Sequence, residues 1–198
     1  MSNIHSTAII DRNCVIGNNV TIGAYTVIEG NVKIDDDNII YPSVYMGGNT
    51  DIGKSNQIFS FSSIGAVPQD LKFKNEKSKL RIGNKNTIRE HCTFNLGTKG
   101  GGMLTEVGDS SLFMAGVHVA HDCIVGNNTI LANQVTLGGH VTIDDYAVLG
   151  GLSGVHQFCR IGSLAMIGGL SAIENDVIPY GLAIGNRAKI TGVNLVGL

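Results

Sequence analysis

The chain has 198 residues, with 14 Lys and Arg against 16 Asp and Glu, 27 Gly, 3 Pro and no Trp. A formal charge of −2 lacks the positive field of a general nucleic-acid binder. With 43% hydrophobic and 15% charged residues, the composition excludes a disordered chain and argues against a helix bundle; the length suits one domain, 1–198, with a sizeable core.

The opening MSNIHSTAIID has no basic segment followed by an apolar run, so it does not read as a signal peptide. The most apolar stretch, Leu164 to Leu170, is broken by glycines and far short of the about 20 residues of a membrane span. The expectation is a cytoplasmic protein with no integral membrane segment.

From Ile4 onward an aliphatic recurs at every sixth position: Ile4, Ile10, Ile16, Ile22 and so on to Ile64. The beat resumes at Ile82, Ile88 and Phe94, advances by one residue, and then runs unbroken from Val107 to Ile173. Four positions after many of these aliphatics stands a small or β-branched residue, such as Ala8, Cys14, Val20, Val117 or Cys123. Directly after it there is often a glycine (Gly17, Gly23, Gly53, Gly83, Gly126, Gly138, Gly150, Gly162), read as supplying the positive φ of a tight corner.

A period of six fits neither a 3.6-residue helix nor an alternating strand. It fits a coil of three short strands with one large aliphatic per side pointing inward. The fold expected is therefore all-β: a left-handed parallel β-helix, a three-sided prism of hexapeptide repeats whose hand is an exception to the usual crossover rule. Some 26 hexads make nearly nine coils, and at about 4.8 Å per strand spacing the prism is roughly 40 Å long.

Two segments leave the rhythm, 66–81 (AVPQDLKFKNEKSKLR) and 95–106 (NLGTKGGGMLTE), and both read as loops thrown out from prism corners. The repeat phase also rejects some motif matches. Gly48 to Ser55 satisfies the phosphate-loop pattern, but the hexads continue through Ile52 and Ile58, so the helix that motif needs cannot follow. Cys14, Cys92, Cys123 and Cys159 all fall at the inward small position, which makes them reduced core fillers and not a disulfide framework. For the same reason His156 and Cys159 are not a metal pair.

An interior filled with aliphatics leaves function to the outside. Four of the six histidines, His118, His121, His140 and His156, lie close together at outward positions. At 18 residues per coil, His121 stacks beside Gly139 and His140, and then beside His156 and Gln157. Histidine suits proton transfer near neutral pH, and Asp122 is placed to hold the His121 ring in one tautomer. A three-His zinc site of His118, His121 and His140 is the alternative reading of the same residues.

These residues resemble the acyl-carrier-protein–UDP-N-acetylglucosamine O-acyltransferase family, which begins lipid A synthesis in Gram-negative bacteria. The likeness runs from PQDLK at Pro68–Lys72 and Ile88-Arg89-Glu90 through Gly97-Thr98 to AHDC at Ala120–Cys123. It continues through GGHV at Gly138–Val141, HQFC at His156–Cys159, Pro179-Tyr180 and Gly185-Asn186. The resemblance implies a homotrimer with active sites in clefts between neighbours, and no cofactor, metal or covalent acyl-enzyme. It implies that His121 is the general base for the sugar 3-hydroxyl, Asp122 its orienting partner, and the Gly139 N–H the oxyanion donor. It further implies that His118, His140, His156, Gln157 and Asn194 bind the nucleotide sugar. Gln69, Asp70 and Lys72 would reach substrate from an adjoining subunit, and acyl carrier protein would deliver the 3-hydroxyacyl chain. Gly168 and Gly169, where members set acyl length, imply a long chain. Members carry a C-terminal helical domain that this sequence does not include, and Asn95 stands where some have a substrate-binding His. Rival readings are a coenzyme A-dependent transferase on another nucleotide sugar, a zinc enzyme like the prism-shaped carbonic anhydrases, and a non-catalytic scaffold.

Overall fold

The computed structural model describes residues 2–197, so Met1 and Leu198, which the expected span 1–198 includes, lie outside the described residues. Strands of mostly two residues, such as Thr21–Ile22 and Val27–Ile28, each turn an aliphatic inward and leave its neighbour facing out. Away from the two insertions each pairs in parallel with the strand 18 residues on, as in Asn3↔Thr21 and Ile4↔Ile22. Three sheets of 11, 9 and 8 strands result, forming the sides of a left-handed β-helix. The antiparallel pairing of Gly181–Ile184 with Lys189–Val193 closes the upper end of the first sheet.

Inside the prism, like stacks on like. Ile22, Ile40, Ile58 and Ile88 are at most 1% exposed, and each such side chain contributes about 1.5–3 kcal/mol. Cys92, Cys123 and Cys159 are buried, Cys14 is half-buried, and all four are free thiols, as their inward phase led us to expect. Desolvation pushes the Cys92 thiol up to about 11 and that of Cys123 to about 12. The Gly48–Ser55 segment is strand Asn49–Ile52, followed by strand Gln57–Ile58.

The glycines after the inward aliphatics have a different reason from the one the sequence suggests. Gly17, Gly23, Gly53 and Gly150 do not take positive φ; the left-handed residues come two positions later, at Asn19 (55°), Tyr25 (58°), Ser55 (59°) and Leu152 (58°). The glycines are needed for closeness. A Cβ on Gly23 would stand 2.5 Å from Pro42 N, and one on Gly150 2.5 Å from Gly169 N, both in the next coil. The left-handed residues are tolerated because their amides are tied to the preceding coil, as Ser43 N–H is to Ala24 O at 2.8 Å.

We number the prism edges by the sheets they join: first sheet to second, second to third, third to first. Both insertions leave from the second edge, in successive coils. Strand Ser63–Ala66 is followed by 67–78, and strand Thr93–Asn95 by 96–103 with a short 3-10 turn at Lys99–Gly101. Both are shorter than the sequence suggests, because Lys79–Ile82 and Leu104–Val107 pair with each other as four-residue strands. At the third edge a buried ladder links coils: Asn86 N–H donates to Asn56 Oδ1 at 2.9 Å, and Asn56 N–H to Asn38 Oδ1 at 2.8 Å. Among the described residues, no helix is long and apolar enough to cross a membrane.

Candidate active site

The coil above the second insertion turns its second edge at Val119, and that corner carries His121 and Asp122. The next two coils place Gly139 and His140, then Gln157 and Phe158, at the same two corner positions. Asp122, His140 and Phe158 are the left-handed residues of their corners, at φ 59°, 63° and 67°. His140 N–H donates to His121 O at 3.0 Å, so the rung bonds of the solenoid fix the spacing of the site.

Asp122 is the best-held group here, its side chain fully buried. Its Oδ1 accepts the Thr98 N–H at 2.8 Å, and its Oδ2 accepts the Thr98 hydroxyl at 2.5 Å and His121 Nδ1 at 2.8 Å. Its own N–H donates to Thr105 Oγ1 at 2.8 Å. A buried carboxylate needs such satisfaction to remain ionised. Because a carboxylate only accepts, the proton of His121 is assigned to Nδ1, which leaves Nε2 with a free lone pair. Nε2 faces the backbone of Gly139, where a Cβ would stand 2.6 Å from it. Among the described residues the Gly139 N–H has no protein acceptor, so it is free to receive one from a ligand.

Around this pair, His140 meets the His121 ring edge-on at 5.1 Å between centroids and stacks on Phe158 at 4.4 Å. His118 bonds through Nδ1 to Thr93 Oγ1 at 2.7 Å. Burial, with the nearby His121 as a second cause, holds the His118 pKa below its ordinary value. His156 is exposed beside Gln157.

Residues of the first insertion line two recesses beside the histidines. Gln69, Asn95, His118, His121, Gly139 and Gln157 line a recess of about 560 Å³. Asp70, Lys72, Thr98, Lys99, His140 and Phe158 line one of about 900 Å³. Within the chain, Gln69, Asp70 and Lys72 border the recesses that His118, His121 and His140 line. The reason is local: the insertion leaves and rejoins the edge that carries His121, so it folds back along its own column.

Other expected residues lie elsewhere in the chain. Gly168 and Gly169 follow strand Met166–Ile167 at the first edge. Asn194 is buried and donates from Nδ2 to Leu164 O at 2.7 Å, near the third edge. The side chains able to share a metal ion are His121, Asp122 and His140, within 4.8 Å of one another, whereas His118, part of the three-His zinc alternative, is turned to Thr93. With three donors on its two oxygens, Asp122 acts as an anchor for His121 and has little left for an ion.

Thr98 and Gly101 contact Asp122, and sequence reasoning did not single them out. Gly97-Thr98 entered only as a matched motif, and Gly101 only as part of the 95–106 loop. A Cβ on Gly101 would collide with the Asp122 carboxyl, so the glycine lets the second insertion lie flush on it. The one available signal was phase: the insertion belongs to the edge of His121, one coil earlier.

Known proteins match this arrangement closely. The family described as bacterial transferase hexapeptide (six repeats) matches residues 13–48 and 105–139. The acyl-[acyl-carrier-protein]–UDP-N-acetylglucosamine O-acyltransferase of Aliarcobacter butzleri is 55% identical over the whole chain, which spans 76% of that protein. Its Campylobacter concisus counterpart is 45% identical, again over the whole chain and 76% of that protein. The solved LpxA of Acinetobacter baumannii superposes with a TM-score of 0.97 at 49% identity, over 98% of this chain and 75% of that one. Identity at this level over the whole chain assigns it to the acyl-[acyl-carrier-protein]–UDP-N-acetylglucosamine O-acyltransferase family.

Proposed function

We propose that the chain transfers a 3-hydroxyacyl group from acyl carrier protein to the 3-hydroxyl of UDP-N-acetylglucosamine, the first step of lipid A synthesis, with His121 as general base. The observation that carries this reading is a histidine anchored by its Nδ1–H on a fully buried carboxylate, with Nε2 open to a groove. His121 Nε2 takes the hydroxyl proton as the sugar oxygen attacks the thioester carbonyl. The tetrahedral oxyanion accepts the Gly139 N–H, a contribution of about 3–4 kcal/mol in comparable sites. The C–S bond then breaks, and the imidazolium returns its proton to the departing pantetheine thiolate.

His118, His140, His156 and Gln157, with Gln69, Asp70 and Lys72 of the first insertion, are the proposed contacts of the nucleotide sugar. Asn194, Gly168 and Gly169 lie at other edges, so they meet this groove only through another copy of the chain. This is our reason for taking the working assembly to be a homotrimer. Gly168 and Gly169 present no side chain, which suits a long acyl group. Four free thiols agree with a cytoplasmic setting.

The test is acyl transfer from a panel of 3-hydroxyacyl carrier protein thioesters, with the product identified by mass. General-base assistance is worth about 10²–10⁴ in rate, so His121→Ala should lose that much in kcat. The ring lies outside the aliphatic core, so the protein should stay folded, with a lower melting temperature from the donor Asp122 loses. A folded His121→Ala protein with wild-type turnover would overturn the reading.

A further inference from the structure

Resting on that reading, we propose that Thr98 is a positioning residue that sets the basicity of His121 through Asp122. Of the three donors on the Asp122 carboxylate, Thr98 supplies two, its N–H to Oδ1 at 2.8 Å and its hydroxyl to Oδ2 at 2.5 Å. The hydroxyl and His121 Nδ1–H meet on the same oxygen, Oδ2. A donor that shares this oxygen draws charge from it, and so weakens the pull of Asp122 on a protonated His121. The two bonds also fix the carboxylate rotamer, and with it the direction of Nε2.

The second insertion is built to hold Thr98 in place. Its carbonyl accepts the N–H of Gly101 at 3.1 Å and of Met103 at 2.9 Å, while Gly101 lies against the carboxyl itself. The other groups that face this pair are His140, with Nδ1 4.0 Å from Oδ2, and His118, whose pKa senses His121. Lys99 from the same insertion, and Asp70, Lys72, Lys74 and Glu76 from the first, line the adjoining recess. Of all these side chains, Thr98 and His121 are the ones bonded to the carboxylate.

The experiment compares Thr98→Val, which keeps shape without the hydroxyl, with Thr98→Ser, which keeps the hydroxyl. A hydrogen bond to a charged group carries enough energy for Thr98→Val to lower kcat about 10- to 100-fold with KM little changed. The acid limb of its kcat/KM profile should move upward by about half a pH unit or more. The sign follows from charge: without the hydroxyl, Asp122 stabilises imidazolium more, so His121 deprotonates at higher pH. Thr98→Ser should restore both the rate and the limb.

A Thr98→Val enzyme with an unmoved acid limb would overturn the proposal, whether its rate was normal or had fallen equally in Thr98→Ser. The His121→Ala control separates the two levels of inference. If that variant retains turnover, the general-base reading fails. If it is inactive while Thr98→Val keeps the wild-type profile, only the role of Thr98 fails.

Discussion

Gly139→Ala tests the site at its tightest point. The new Cβ would stand 2.5 Å from His121 Cε1 and 2.6 Å from Nε2. Relaxed carbon contacts lie at about 3.5–4.0 Å, so the ring must retreat by about 1 Å. It cannot slide freely, because Nδ1 is bonded to Asp122 at 2.8 Å and Asp122 is itself held by Thr98. A displacement of about 1 Å from attack geometry costs about 10²-fold in rate. Gly139 does not adopt positive φ, so alanine fits the backbone and the prism should melt as before. The assay is kcat at saturating substrates alongside a thermal melt. Gly192→Ala serves as control, since its Cβ would meet only Leu182 Cδ2, at 3.9 Å. A folded Gly139→Ala enzyme within threefold of wild-type kcat would refute the placement of His121 against this backbone.

Three further outcomes follow from features outside the reacting pair. Asn56→Ala leaves Asn86 N–H and Gly83 O buried without the partners they have at 2.9 and 3.0 Å. At about 1–3 kcal/mol for each group, a melting point lower by about 10 °C is expected. The raised pKa values of Cys92 and Cys123 predict negligible alkylation of these thiols at pH 8 in the folded protein, with half-buried Cys14 reacting first and all four reacting in denaturant; peptide mass mapping reads this out. His118 has a folded pKa below the ordinary 6.5, so the unfolded chain protonates it first and stability falls as pH drops through that value. The loss levels off below the depressed folded value. His118→Gln should remove this component, seen as a smaller change in melting temperature between pH 7.5 and 5.5; an equal change in both proteins would contradict it.

Much of this was legible in the sequence, for a physical reason. A solenoid repeats its burial pattern every turn, so the inward phase of Ile22, Cys92 or Leu137 is written in spacing alone. The outward phase likewise placed His121, Gly139 and Gln157 in one column. What spacing did not carry was contact made without a period. Thr98 reaches Asp122 from an aperiodic insertion, and nothing in its local sequence announces a bond to a residue 24 positions on. The glycine corners were misread because the left-handed residue is set by the rung bonds, which bulky residues such as Tyr25 and Phe61 obey as well.

Parallel sheets are ordinarily slow to assemble, because their strands must find partners far along the chain. Outside the two insertions this prism escapes that rule through its 18-residue pairing distance. Relative to chain length this is a separation of about 0.1, in the range of fast-folding helical proteins. Each finished coil offers the template for the next, so order can spread from any coil toward both ends in the manner of a zipper. The two long detours at the second edge would then be the slowest steps, and the hydrolytically exposed stage of folding would be the moment before the catalytic coil closes over them.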